Sequence, residues 1–321
     1  MSVTFEDIQA ARARIAPAIV RTPLLHSAEV DALLGARLLV KAECLQRLGA
    51  FKIRGAFNCI AALDAEKRAR GVIAFSSGNH GIAVTAAAKD FGVPAVIVMP
   101  ADAPAIKANT IRALGGEIVF YDRLTEDREA IGGKIASERG LALVKPFDDP
   151  FVIAGQGTIG LEIAAEVNFD IVLVPCSGGG LSGGIATAFA RAQPNAKVYA
   201  VEPKGHEDLA RSLAAGSIQK NEPGVRSICD ALLVDRPGDL TFAIAREKLA
   251  GALAVNDDEV LAAMAFAFQR FKIVLEPSGA AGLAAALAGK IDIKGKTVGI
   301  VASGGNVDPA MFARALGAAA F

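Results

Sequence analysis

The chain is predicted to fold as an α/β protein, and three observations carry that prediction. Short β-branched runs recur along it: Leu38-Leu39-Val40, Val72-Ile73-Ala74-Phe75, Val96-Ile97-Val98-Met99, Ile118-Val119-Phe120, Ile171-Val172-Leu173-Val174, Val198-Tyr199-Ala200-Val201 and Val298-Gly299-Ile300-Val301. Ala-rich segments of helical period separate them. Near-continuous apolar strands alternating with helices imply open parallel sheets covered by helices on both faces. The third observation is length: 321 residues exceed the usual size of one core, so two domains of roughly 100–200 residues are expected.

Taken in order, helices are expected over residues 82–91, 126–139, 159–167, 239–250 and 257–270, several opened by an Asp or Thr suited to N-capping. Residues 71–144 hold three or four strand–helix units of their own, and Pro146-Phe147-Asp148-Asp149-Pro150 follows them as a breaker. A small inserted domain is therefore placed over residues 69–147. Residues 1–68 and 148–321 would form a larger, discontinuous domain, with a cleft between the two. No repeat of fixed period is present, and helix propensity accounts for the Ala enrichment near the C-terminus.

Thirty-four basic residues balance thirty-four acidic ones and no basic run stands out, which points away from nucleic acid and anionic membrane as partners and toward a small molecule. Cys44, Cys59, Cys176 and Cys229 lie too far apart for a C-x-x-C pair or a zinc pattern and read as reduced thiols. The first 17 residues carry charge and lack an apolar h-region, so no signal peptide is expected. The longest apolar stretch, 279–289, is short of the roughly 20 residues a bilayer requires. A cytoplasmic enzyme is the expectation.

The chemistry centres on Lys52, in Gly49-Ala50-Phe51-Lys52-Ile53-Arg54-Gly55-Ala56. Phe51 and Ile53 would place its ammonium in a partly apolar cleft, where desolvation frees the amine to attack a carbonyl. Three small-residue loops follow apolar runs: Ser76-Ser77-Gly78-Asn79-His80-Gly81, Ser177-Gly178-Gly179-Gly180-Leu181 and Ser303-Gly304-Gly305-Asn306. Two of them run into helix-like stretches, where backbone N–H groups converge on an anion. A lysine facing such a cradle suggests a Schiff base to a phosphorylated aldehyde, with pyridoxal 5'-phosphate the candidate. The Ser76 loop offers hydroxyls, an amide and N–H groups that can grip a carboxylate. Gly155-Gln156-Gly157-Thr158-Ile159-Gly160 matches the dinucleotide fingerprint G-x-G-x-x-G, but no strand precedes it and no acidic residue stands about 20 positions on. Dinucleotide binding is not expected.

Together these motifs resemble the fold-type II pyridoxal-phosphate enzymes, with their tryptophan synthase β-like fold, and within them the threonine/serine dehydratases and serine racemases. The resemblance runs from Arg21-Thr22-Pro23-Leu24 through the Lys52 segment, the Ser76 loop, Gly155-Gln156-Gly157, the Ser177 loop and Glu276-Pro277-Ser278-Gly279-Ala280 to Ser303-Gly304-Gly305-Asn306. It implies that Lys52 carries the cofactor and acts as base at Cα, and that Phe51 covers one ring face. Asn79 would bond the ring 3'-oxygen, and Gly178, Gly179, Gly180 and Leu181 would donate N–H groups to the phosphate. Glu276 would join the cofactor's surroundings. Ser76, Ser77, Gly78, Asn79 and His80 would hold the substrate. Ser303 would meet the pyridine nitrogen; a neutral hydroxyl makes the ring a weaker electron sink than an Asp would, which favours rapid β-elimination.

The resemblance also implies a Mg²⁺ or Ca²⁺ site at Glu202, Asp208 and the carbonyl of His206, oxygen ligands that suit a hard cation. Three positions depart from the family pattern: Ala50 for the usual Ser, Ser177 for the first glycine of a four-glycine run, and Ser227-Ile228-Cys229-Asp230-Ala231-Leu232 for Thr-Ile-Ala-Asp-Gly. They bear on substrate choice. The chain ends at Phe321 without a regulatory domain, so feedback by isoleucine is not expected.

The implied reaction is removal of water from L-threonine or L-serine, giving 2-oxobutanoate or pyruvate with ammonia. Serine racemisation is the nearest rival and needs an acid/base opposite Lys52, for which Ser77 is the candidate. Dehydration of 3-hydroxyaspartate is a second rival; it needs a further cation, and Arg54 lies in the right motif with its direction open. A cofactor-binding regulatory protein without turnover is the non-enzyme reading. Relatives imply a homo-oligomer, taken as a homodimer.

Overall fold

The computed structural model describes residues 2–76, 78–103, 105–122 and 125–318. From the N-terminus come α1 (Phe5–Ile15), β1 (Leu24–His26), α2 (Ala28–Leu34), β2 (Arg37–Lys41), α3 (Lys52–Ala62) and α4 (Ala65–Arg70). Next are β3 (Val72–Phe75), α5 (Asn79–Asp90), β4 (Ala95–Pro100), α6 (Ala105–Ala113), β5 (Glu117–Tyr121), α7 (Arg128–Arg139) and β6 (Ala142–Leu143). The chain then forms α8 (Pro150–Ala164), β7 (Ile171–Pro175), α9 (Gly180–Ala192), β8 (Lys197–Pro203), α10 (Asp208–Ala215) and α11 (Asp239–Lys248). It ends with β9 (Gly251–Val255), α12 (Asp257–Phe266), α13 (Pro277–Leu287), β10 (Thr297–Val301) and α14 (Pro309–Ala318).

Two sheets result. One has the order β1-β2-β10-β7-β8-β9, parallel throughout except that β1 runs against β2. The other, β5-β4-β3-β6, is wholly parallel and is built only from strands between Val72 and Leu143. Every residue of β4 and of β7 is buried, as unbroken apolar strands between two helix layers must be. β10 lies between β2 and β7, so the loops leaving β2, β10 and β7 open at the same end of the sheet, where open α/β sheets place ligands.

The strand runs read from sequence all form, with ends within a residue or two; the short β1, β6 and β9 were not anticipated. The largest correction concerns α8. Its expected start at 159 lies nine residues late, because Pro150 opens the helix instead of breaking the chain. Asp149 accepts from the Phe151 and Val152 N–H groups at 2.8 and 3.0 Å, and proline's fixed φ suits the first turn. The G-x-G-x-x-G segment thus lies inside a buried helix. Its glycines serve packing: a side chain at Gly155 would meet the Arg54 carbonyl oxygen of α3 at 2.6 Å, and one at Gly157 the Gly184 carbonyl oxygen of α9 at 2.8 Å. α8 is thereby wedged against both neighbours.

The helix expected over 257–270 begins with a capping box between Asn256 and Glu259 and passes at Ala267 into one π-helical turn, ending where Lys272 is left-handed at φ 59. All four cysteines are buried and free. Among the described residues no helix is long and apolar enough to cross a membrane.

Candidate active site

Lys52 is the first residue of α3. That helix has no side-chain N-cap; its entry is held by backbone bonds to the loop after β10, with Phe51 N–H donating to the Ser303 carbonyl at 3.1 Å and an isolated bridge joining Ala50 to Gly304. The Lys52 ammonium donates to the Pro146 carbonyl at 2.9 Å and lies 5.2 Å from the Phe51 ring centre. Burial pushes its pKa down to about 8, against the opposing pull of Glu276. A usable fraction of free amine therefore exists near neutral pH.

The residue after Pro146 reaches the glycine loop. Gly178 and Gly180 both abut Phe147, and a side chain at either position would collide with it; Gly179 sits at φ 90 against Thr241. Packing alone therefore favours glycine at all three positions, most strongly at Gly178 and Gly179. α9 begins at Gly180 with Gly179 as its cap and no side-chain acceptor, which leaves the positive end of the helix for an anion. The buried Ser177 hydroxyl beside it has no partner. An uncapped helix start, an orphaned hydroxyl and a nearby amine of lowered pKa fit a phosphorylated aldehyde.

From the other sheet, the loop after β3 leads into α5 at Asn79. Asn79 is gripped on both sides: its amide donates to Glu276 at 2.7 Å and its carbonyl oxygen accepts from the Asn306 amide at 2.9 Å. Burial, then Asp230, pushes the Glu276 carboxyl up to about 8, so it is mostly protonated at neutral pH. His80 is buried with Nε2 at 2.9 Å from the Val144 carbonyl, which makes Nε2 the protonated nitrogen and leaves Nδ1 a buried acceptor without a partner. Burial and the nearby Lys52 push it down to about 3, and it stays neutral. The Gly78 N–H donates to the Ser76 hydroxyl at 3.1 Å. Ser77 lies outside the described residues. Ser303 is buried at the end of the loop that receives Phe51.

Three features were not foreseen. Pro146 and Phe147, taken as a breaker, join the amine to the cradle. Lys107 of α6 comes within 3.6 Å of where a Gly78 side chain would begin and pairs with Asp230 at 2.9 Å. Arg54, whose direction the sequence left open, points away from the loops: it is fully buried and bonded to Glu43, Glu162 and Thr158. The breaker between two groups of strands was the available signal for the first; nothing in the local sequence marks the other two.

Glu202 lies one residue before the end of β8, and Asp208 opens α10. Glu202 accepts from the Leu209 and Ala210 N–H groups, each at 2.9 Å, yet burial and Asp208 push it up to about 8. Burial raises Asp208 to about 6; its Oδ1 accepts from Asn221 at 2.6 Å while its buried Oδ2 has no partner. The His206 ring turns its Nε2 to the Val225 carbonyl at 3.2 Å. Among the described residues no group of three or more His, Cys, Asp or Glu side chains gathers as a metal site. The expected set contains only two such carboxylates and relies on a backbone oxygen.

Two sheets contribute to one site, with a half-buried amine from one and an amide-lined loop from the other, and a helix-terminal anion cradle alongside. That is the layout of an α/β enzyme that holds a phosphorylated aldehyde on a lysine. Comparison with known proteins agrees. Residues 15–304 match the family model for pyridoxal-phosphate dependent enzymes. The chain is 45% identical over 312 residues to the L-threo-3-hydroxyaspartate ammonia-lyase of Saccharomyces cerevisiae, covering 97% of this chain and 95% of the other. It is 41% identical to the L-threonine ammonia-lyase of Thermotoga maritima, covering 97% and 78% respectively. The solved structure of maize serine racemase superposes with a TM-score of 0.93 at 41% identity, covering 98% of this chain and 97% of that one. The chain belongs to the fold-type II pyridoxal-phosphate dependent enzymes, within the group of hydroxy-amino-acid ammonia-lyases and racemases.

Proposed function

We propose that this enzyme eliminates water from L-threonine and L-serine, converting each substrate to its 2-oxo acid and ammonium with no net gain or loss of water. The observation that supports the reading is a lysine whose pKa burial lowers to about 8, on a segment tied at Phe51 to the buried Ser303 by a 3.1 Å backbone bond; the family resemblance implies that this serine's neutral hydroxyl would meet the ring nitrogen. When bound, the cofactor withdraws electrons from the substrate's Cα–H bond. Lys52 removes that proton. Asn79, fixed by Glu276 and Asn306, would bond the ring oxygen, Phe51 would cover a ring face, and the amides of Gly178, Gly179, Gly180 and Leu181 would hold the phosphate. Ser76, Ser77, Gly78 and His80, around the start of α5, would receive the substrate carboxylate, and Ser77 is the candidate acid/base for racemisation.

A second reading, dehydration of L-threo-3-hydroxyaspartate, is favoured by the similarity to the yeast enzyme of that name and by Lys107. Its ammonium lies beside Gly78, where a second carboxylate needs a cation, whereas Arg54 is occupied elsewhere. Serine racemisation is the third outcome. Incubating the cofactor-loaded protein with L-serine, L-threonine and threo- and erythro-3-hydroxyaspartate, then measuring keto acid, ammonia and serine chirality, separates the three. Absence of keto acid from every substrate would overturn the lyase reading.

We also propose that residues 69–147 form a small domain inserted into a larger one of residues 1–68 and 148–321, that the protein is a cytoplasmic homodimer whose partner is a small hydroxy-amino-acid substrate, with no nucleic acid and no membrane, and that Glu202, Asp208 and the His206 carbonyl bind Mg²⁺ or Ca²⁺. Two neighbouring buried carboxylates, one with an oxygen that has no hydrogen-bond partner, support the last point.

A further inference from the structure

Behind Lys52 lies a closed ionic cluster that the reaction does not use. Arg54, two residues along α3, donates to both oxygens of Glu43 at 2.8 Å each, to Glu162 at 2.6 and 3.0 Å, and to the Thr158 hydroxyl at 3.1 Å. Lys41, at the end of β2, donates to Glu162 at 2.6 Å and to the Thr22 carbonyl at 2.7 Å, and the Thr22 hydroxyl donates to Glu43 at 2.5 Å. Two cations face two carboxylates. Arg54 and Glu43 are fully buried, and the Glu162 side chain is 10% exposed. Burial alone would raise Glu162, but the bonds and charge of Arg54 outweigh it and hold the carboxylate below its ordinary value.

Such a cluster is an inefficient way to gain stability, because desolvating the charges offsets their attraction and an apolar replacement serves as well or better. What it does supply is direction: guanidinium and carboxylate bond in one plane at fixed angles. The direction is needed here, since α3 lacks a side-chain cap. The first turn is instead tied at Arg54 and at Gly55, whose N–H donates to the Gln156 side chain at 3.1 Å. Both ties end on α8, which on its far side packs glycine to glycine against α9, the helix that starts at the anion cradle. α8 therefore spans between the helix that carries the amine and the helix that carries the cradle.

We infer that Arg54 is a positioning residue for Lys52, and that the Glu43–Arg54–Glu162 cluster, which ties α3 to α8 and to the segment after β2, sets where the amine stands relative to the Gly178–Leu181 cradle. The inference accounts for two motifs the reaction leaves unused, Arg21-Thr22-Pro23 and Gly155-Gln156-Gly157. It rests on the family's cofactor and not on the choice of substrate.

The test compares two ligands on protein freed of cofactor. Pyridoxal 5'-phosphate needs both cradle and amine, whereas pyridoxine 5'-phosphate has no aldehyde and needs only the cradle. In Arg54→Lys, capture of pyridoxal 5'-phosphate, followed by its visible absorbance and by borohydride trapping at Lys52, should slow on the order of 10²-fold, the penalty of a misplacement near 1 Å. The pyridoxine 5'-phosphate dissociation constant should stay within about twofold. If Arg54→Lys does not fold, the charge-balanced double variant Arg54→Gln with Glu162→Gln takes its place with the same expectation. Unchanged capture would overturn the inference, as would an equal loss for both ligands, which would mark a purely structural role. If wild-type protein captures the cofactor at Lys52 yet releases no keto acid, the lyase reading fails while this one stands.

Discussion

Lys52 and Glu276 both titrate near 8 in the folded protein, but they reach that value from opposite sides and load stability in opposite directions. Glu276 rises from 4.5 to about 8. Between those values the folded state holds a proton the unfolded state has lost, so stability is full below pH 4.5 and declines as pH climbs toward 8. Lys52 falls from 10.5 to about 8; between 8 and 10.5 the unfolded chain holds the extra proton, and stability recovers as pH rises. Cofactor-free Glu276→Gln should therefore show a shallower fall in Tm than wild type between about pH 5 and pH 8. Calorimetry at matched pH values checks this, and parallel profiles would refute it. Lys52→Ala should abolish borohydride-stable cofactor attachment and cut turnover by at least about 10²–10⁴-fold, the share a positioned base supplies. Lys52, Asn79 and the glycines were legible because each stands in a short string of unusual composition. The Lys107–Asp230 pair and the Arg54 cluster were not, since each joins residues that the sequence separates by up to 123 positions.

At the scale of elements, helix α8 shows why glycine spacing misleads when read without context. G-x-G-x-x-G has the same letters whether glycine admits a phosphate or a neighbouring backbone, and only the preceding residues distinguish them. Here Asp149-Pro150 is a helix start, so the glycines face α3 and α9. Gly155→Ala should push its methyl into the Arg54 carbonyl, 2.6 Å from the built position. Because backbone cannot step aside, the cost should be about 1–3 kcal/mol. Asp149→Ala removes the acceptor for two N–H groups and should cost about 1 kcal/mol. Urea titrations give both values. A Gly155→Ala protein as stable as wild type would show that α3 and α8 are less tightly apposed. Strands were easier to read than helices, because a fully buried parallel strand needs an unbroken apolar run, whereas α1, α2 and α4 each hold few or no buried residues and leave a weak apolar stripe.

For the whole molecule, two sheets could be anticipated from the grouping of strands, but the way the chain crosses between them could not. Residues 145–149 carry that crossing, and in five positions they supply the Lys52 acceptor, the Phe147 wall of the cradle and the caps of α11 and α8. The end of β8 poses a different question, because Glu202 and Asp208 bury two carboxylates next to each other at the turn from β8 into α10. Burial raises both carboxyls, Glu202 to about 8 with a further push from Asp208, and Asp208 to about 6. A hard dication would displace those protons and bind the buried Asp208 oxygen that has no partner. Binding must then strengthen as pH rises through 6 to 8. Mg²⁺ or Ca²⁺ at 100 times its dissociation constant should add about 2.7 kcal/mol, seen as a rise in Tm that is larger at pH 8 than at pH 6 and reversed by chelator. Asp208→Asn keeps the shape, removes one charge and should erase most of the cation's effect while leaving the chelated protein no less stable than wild type. The same cation-induced shift in Asp208→Asn and wild type would place the ion elsewhere.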